Sequence, residues 1–128
     1  MKINHTNIHA KKITLLDNCL SGENFKILPN YYKKITDLGD DKFKLTLVVE
    51  IKNTPTNPFP LDISVEFETQ FTLKEYSSRE EIDTYLNVNA IQMIFPFMRS
   101  AINSVVSAAI LPPLVLPIID VRQFVAIE

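Results

Sequence analysis

Two segments of the chain alternate apolar and polar residues, and this pattern constrains the fold more than any other feature. The first runs from Phe43 to Ile51 and the second from Leu61 to Leu73. Because successive side chains of a strand point to opposite faces, each segment predicts a β-strand with one buried face. Residues 53–60, which include three prolines, separate the two segments. This connection is too long for a tight hairpin, so it favours a crossover within an antiparallel sheet of Greek-key type.

A long helix is predicted from about Ala90 through Ala109, where apolar residues recur at helical spacing over most of the circumference. Asn89 is the expected N-cap, and Pro96 predicts a kink or a start near Phe95. A single sheet can cover only one face of such a helix. We therefore expect a homotetramer built through helix contacts, with an interface formed by Met98, Ile102, Val105 and Ala109.

Membrane insertion and nucleic-acid binding are both disfavoured. The segment from Ser100 to Ile119 lacks charged side chains and is long enough to span a bilayer, but three prolines near its end would break the required helix. The formal net charge of -2 gives no basic excess for binding to phosphates. One cysteine, and a start without the features of a signal peptide, favour a reducing, cytoplasmic location.

The sequence offers no catalytic or cofactor-binding motif. Two glycines are too few for a dinucleotide fingerprint and are not spaced for a phosphate loop. His5 and His9 would share a face but lack a third metal ligand, and Cys19 lacks a nucleophile motif. Glu66 and Glu68 could form an acid and base pair, although such pairs are more typical of a solvated sheet face. The chain is therefore not expected to be an enzyme or to bind a metal or cofactor.

Three blocks in a fixed order carry a resemblance to a known family. They are the strand of residues 61–73, the segment Phe95-Pro96-Phe97-Met98-Arg99, and the proline-rich aliphatic run of residues 111–120. In order and spacing these blocks resemble the SecB-like export chaperones, with the C-terminal two thirds of the chain matching well. The resemblance implies one SecB-like α+β domain over residues 1–128. It also implies a four-stranded antiparallel Greek-key sheet packed with one long C-terminal helix, assembled as a dimer of dimers.

The function that the resemblance implies is that of an ATP-independent molecular chaperone. Such proteins hold unfolded polypeptides or preproteins in apolar grooves, and some serve protein export. The family's crossover loop would correspond to residues 53–60. The client-binding residues carried over by position are Phe59, Leu61, Phe67, Ile94, Phe97, Leu111 and Val115.

Two departures from the family pattern bear on its partners. No Cys or His follows Cys19, so the zinc-binding tail that recruits the SecA motor is not matched, and Lys11-Lys12 stand where acidic residues would be expected. Both put delivery to SecA in doubt. The alternative is a dedicated SecB-like chaperone or adaptor for one partner, such as an antitoxin. A further alternative is an adaptor whose apolar helix is used up in its own assembly.

Overall fold

A computed structural model describes residues 1–22 and 24–127 of the chain. Within these residues the chain forms six strands, two α-helices, a π-helical turn and a 3-10 turn. The strands are β1 (Lys2–His5), β2 (His9–Asp17), β3 (Asn30–Gly39), β4 (Lys42–Ile51), β5 (Leu61–Lys74) and β6 (Val125–Ala126). The helical elements are α1 (Arg79–Thr84), the π-turn Tyr85–Asn89, α2 (Ala90–Ala108) and the 3-10 turn Val121–Gln123.

The strands form one sheet in the order β1, β5, β4, β3 and β6, and β2 also pairs with β5. All pairs are antiparallel except that of β3 with β6. Three consecutive strands, β3 to β5, lie side by side, and the N-terminal strands return beside β5, which is a Greek-key arrangement. The predicted α+β fold is thus confirmed. The strand count is six instead of four, because the first strand is interrupted at residues 6–8 and β6 adds a short strand at the other edge.

The predicted position of the crossover is wrong. Strands β4 and β5 pair directly, with Phe43 opposite Phe71 and Ile51 opposite Ile63, so residues 52–60 fold straight back. This loop is compact because Thr54 and Asn57 exchange two main-chain hydrogen bonds of 3.2 Å. The connection that crosses over is instead the one from β2 to β3, which lie on opposite sides of the β4–β5 pair, and its described residues are 18–22 and 24–29.

Helical structure continues on the N-terminal side of the predicted long helix. Helix α1, the π-turn and α2 follow one another without a break, and the Ser78 side chain caps the N-terminus by accepting from the Glu81 N–H at 3.3 Å. Asn89 is in the helical conformation and makes no side-chain cap, so its predicted role as N-cap is wrong. In the π-turn the N–H of Ala90 donates to the carbonyl of Tyr85, five residues back. The predicted helical span from Ala90 is confirmed, with Pro96 inside it.

The core lies between one face of the sheet and the helices. Burial alternates along β4 and β5, and the buried residues of both strands are apolar except Thr69 on β5. Seven residues of α2 cover this face, whereas its opposite side is exposed and carries small or polar residues such as Ser100, Asn103 and Ser107. The helix is therefore more amphipathic than its sequence suggested. None of the helices in the described residues is long and apolar enough to cross a membrane.

Candidate functional site

An apolar groove of about 580 Å³ opens where three segments of the chain meet. One wall comes from the described residues of the crossing connection, the second is the end of the 52–60 loop with the start of β5, and the third is the segment after α2. Its lining is apolar apart from Asp17 and Asn24. The lining residues are Asp17, Leu20, Gly22, Asn24, Phe25, Ile27, Phe59, Pro60, Leu61, Leu111, Pro112, Pro113 and Leu114.

Two aromatic rings join the first wall to the second. The ring of Phe25 packs edge-on against that of Phe59, with centroids 6.4 Å apart and an interplanar angle of 75°. Gly22 has φ +134°, a conformation that side chains rarely adopt, and a Cβ at this position would lie 3.6 Å from the Phe25 ring. The positive φ is therefore what favours glycine at position 22, since the contact with the Phe25 ring would be an ordinary van der Waals one.

The third wall is held in place by the end of α2 and by Arg99. Residues 111–120 form no regular secondary structure, and the Arg99 guanidinium donates a hydrogen bond of 3.1 Å to the carbonyl of Leu116. Leu114 and Leu116 are buried against the core, while Leu111 is half-buried at the groove. Further along, the ring of Phe124 packs against those of Tyr31 and Phe95. The segment after the helix is thus anchored at several points along its length.

The seven residues expected to bind clients fall into three groups. Phe59, Leu61 and Leu111 line the groove, although Phe59 and Leu61 are also largely buried, with 4% and 7% of their surface exposed. Phe67 and Ile94 lie in the core between the sheet and α2, with 6% and 1% of their surface exposed, and they do not line the groove. The other two are exposed outside it, Phe97 at 54% and Val115 at 64%.

The groove residues that the sequence did not indicate belong mainly to the first wall. Leu20, Phe25 and Ile27 follow no regular periodicity in a stretch of mixed polar and apolar residues, so nothing local marks them as neighbours. Pro60 and Leu114 lie in segments that the sequence had already singled out, and so do Pro112 and Pro113. Their rigidity suits an extended wall, because proline restricts both its own backbone and that of the preceding residue.

The residues expected at an oligomer interface differ in how much of their surface is exposed. Met98 and Ile102 are 0% and 1% exposed within a single chain, because both face the sheet, so they have no surface left to contact another copy. Val105 is half-buried and Ala109 is exposed. A shallow depression of about 700 Å³ lies along the exposed side of the helix and is lined by Ser100, Asn103, Ser104, Ser107, Ala108, Leu111 and Pro113.

Ionisable side chains make ordinary structural contacts. Glu66 and Glu68 lie on the outer face of the sheet, where Lys11 pairs with both at 3.7 and 3.5 Å. His5 and His9 are exposed. Among residues 1–22 and 24–127, no three His, Cys, Asp or Glu side chains lie close enough to share a metal ion.

The shifted pKa values arise away from the groove. Burial raises the pKa of Tyr31 and that of Tyr85. Hydrogen bonds from Arg122 lower the pKa of Asp120 to about 2. None of these groups lines the groove, whose described lining is mainly apolar.

Comparison with known proteins shows a match to one family model and a similar fold in a solved structure. Residues 23–127 match the family model described as preprotein translocase subunit SecB. The fold is similar to that of the Mycobacterium tuberculosis Rv1957 SecB-like chaperone, solved in complex with a ChAD peptide from the Rv1956 HigA1 antitoxin. That comparison has a TM-score of 0.74 at 14% identity and covers 91% of this chain and 90% of that one.

A second solved structure is a protein of unknown function from Streptococcus agalactiae, with a TM-score of 0.41 at 10% identity. It covers 92% of this chain and 98% of that one, and its similarity is too low to support any inference. No curated protein matches this chain.

Proposed function

The chain belongs to the SecB family, and on this basis we propose that it is an ATP-independent chaperone that holds unfolded polypeptide segments in its apolar groove. The observation that carries the proposal is the meeting of three apolar walls around a cavity of about 580 Å³. Concave apolar sites of this size are typical of ligand binding. A segment of unfolded protein is the occupant that we propose, because such chains expose the apolar side chains that a folded protein hides.

The chemistry of the groove favours binding over turnover. Burial of apolar surface stabilises a complex by roughly 25 cal/mol per Å², offset by the ordering of the flexible client. Affinity should then increase with the length and apolar content of the client and should depend little on one motif. We propose neither an enzymatic activity nor a cofactor. Nucleotide hydrolysis in particular would need a phosphate-binding loop, for which the two glycines of the chain are wrongly spaced.

We also propose that the protein is cytoplasmic and works as a homotetramer. The outer edge of β2 is free of pairing partners among the described residues, and Ile13 and Leu16 on this strand are 41% and 58% exposed. An exposed strand edge has unpaired N–H and C=O groups that can bond to another strand, and a second copy of the chain would cover both this edge and its apolar side chains. The small residues along the exposed side of α2 would allow a second contact, in which Val105 and Ala109 remain candidates.

A second candidate function is that of a dedicated chaperone for one partner. It is favoured by the similarity of the fold to Rv1957, which was solved with a peptide from an antitoxin. Under this alternative the groove would recognise one segment of a single protein, and neither a general holding activity nor delivery to SecA would be needed. Both candidates use the same groove and differ in the range of clients.

An aggregation assay with purified protein separates these candidates. A general chaperone should slow the aggregation of several unrelated unfolded proteins without ATP, at stoichiometric amounts, and bind their folded forms poorly. A dedicated chaperone should fail with all of them and protect one partner only. If the protein neither slows aggregation nor binds any extended apolar peptide, the proposed function is wrong.

A further inference from the structure

We infer that Asp62 is a positioning residue that sets the separation of two groove walls; this inference rests on the proposed function of the groove. Asp62 is the second residue of β5 and is half-buried on the outer face of the sheet. It does not line the groove. Its side chain contacts one residue at the start of the crossing connection and one near the start of the 52–60 loop.

One carboxylate oxygen of Asp62 joins the two walls. Oδ1 accepts a hydrogen bond of 2.7 Å from the main-chain N–H of Asn53, which follows β4 at the start of the loop. The same oxygen accepts a hydrogen bond of 3.3 Å from the side-chain amide of Asn18, which follows β2 at the start of the connection. The two walls therefore share one acceptor.

The same two asparagines hold the backbone of Phe59, whose ring lines the groove. The Asn18 side-chain amide donates to the Phe59 carbonyl at 3.3 Å, and the Asn53 side-chain oxygen accepts from the Phe59 N–H at 3.1 Å. The main-chain N–H of Asn18 also donates to the carbonyl of Pro60 at 2.8 Å. Loss of the Asp62 carboxylate would remove one of two links between these asparagines and leave the link through the Phe59 backbone.

These contacts predict which substitutions matter. Asp62→Asn keeps a side-chain oxygen in the same place and can accept both hydrogen bonds, whereas Asp62→Ala removes the acceptor. Glu66→Ala is the matched control, because Glu66 is a carboxylate on the same face of β5 that pairs with Lys11 and contacts neither wall.

The sole cysteine of the chain allows the mobility of the first wall, the crossing connection, to be measured. Cys19 is exposed and follows Asn18, so a nitroxide spin label attached there reports the mobility of the connection by electron paramagnetic resonance. We expect the label to be more mobile in Asp62→Ala than in the unsubstituted chain, Asp62→Asn or Glu66→Ala. Unlabelled Asp62→Ala should bind fluorescent, reduced and carboxymethylated lactalbumin about tenfold more weakly, while the other two variants bind it normally.

The outcomes distinguish this inference from the proposed function. If the unsubstituted chain binds the unfolded client and Asp62→Ala matches it in both affinity and label mobility, the inference is overturned and the proposed function stands. If the unsubstituted chain binds no unfolded client, the proposed function fails. Should circular dichroism show that Asp62→Ala does not fold, Asn18→Ala replaces it, since that variant keeps the bond from Asn53 to Asp62. An Asn18→Ala variant with normal affinity would likewise overturn the inference.

Discussion

The main-chain N–H of Leu111 donates a hydrogen bond of 3.1 Å to the carbonyl oxygen of Val106, and this bond turns the chain out of α2 into the groove wall. The N–H of Ile110 donates in the same turn to the carbonyl of Ser107 at 3.0 Å. Together the two bonds form a Schellman motif, which requires a left-handed residue just beyond the helix. That residue is Ile110, with φ 59°, where most helices place glycine.

Ile110→Gly should therefore stabilise the protein. The left-handed conformation costs an L-residue about 1–2 kcal/mol, and the greater freedom of glycine in the unfolded chain offsets about half of the gain. We expect the free energy of unfolding to rise by about 0.5–1 kcal/mol, measured by urea denaturation. Ile110→Ala is the control, because the side chain is 92% exposed and its loss alone should change little. A Gly variant less stable than the Ala variant would contradict the prediction.

Thr69→Val should also stabilise the fold. Thr69 is fully buried on β5 opposite Leu45, and its hydroxyl has no hydrogen-bond partner among the described residues. A buried polar group without a partner costs about 1–3 kcal/mol, and valine has nearly the same shape. We expect a gain of about 1 kcal/mol in urea denaturation. Thr46→Val on the outer face should change stability by less than about 0.5 kcal/mol. A loss of stability in Thr69→Val would indicate that the hydroxyl is satisfied in solution.

Two substitutions on α2 test which side of the helix belongs to the core and which side could contact another copy of the chain. Ile102→Asp places a charge against the sheet and should lower stability by about 4 kcal/mol or more, so that circular dichroism shows an unfolded chain. Ser104→Asp lies on the exposed side and should leave the fold intact. If that side contacts another copy, Ser104→Asp should lower the mass seen by sedimentation. A folded Ile102→Asp chain of reduced mass would instead place Ile102 in the interface.

The strands could be predicted from the sequence because their signal is local. Alternation from Phe43 to Ile51 follows directly from burial of one sheet face, and it matches β4 to within one residue. Helical spacing likewise located α2. Spacing alone, however, does not say whether the sheet or a second copy covers a given side, and Met98 was therefore expected at an interface although the sheet buries it.

The groove could be predicted only in part because two of its walls depend on long-range contacts. Loop length suggested a crossover at residues 53–60, but the hydrogen bonds of Asn53 and Thr54 close this loop into a hairpin. The true crossover carries Phe25 among polar residues, and its burial arises only when the connection passes Phe59. Phe59 and Leu111 were identified through the family resemblance.

The groove itself is tested by comparing two phenylalanines. Phe25 is half-buried in the first wall, whereas Phe97 is exposed on α2 outside the groove. Loss of one aromatic contact should cost about 1–2 kcal/mol, so Phe25→Ala should bind an unfolded client about tenfold more weakly in fluorescence anisotropy. Phe97→Ala should change affinity less than about twofold if the groove is the binding surface.

The salt dependence of this binding gives a second check. Asp17 is the one ionisable residue in the described lining of the groove. Apolar burial is not screened by salt, so affinity should change by less than about threefold between about 0.05 and about 0.5 M NaCl. Steep salt dependence would indicate that surface charges outside the groove dominate binding. A larger effect of Phe97→Ala than of Phe25→Ala would show that clients bind along the exposed side of α2, and would support the sequence-based prediction that Phe97 contacts clients.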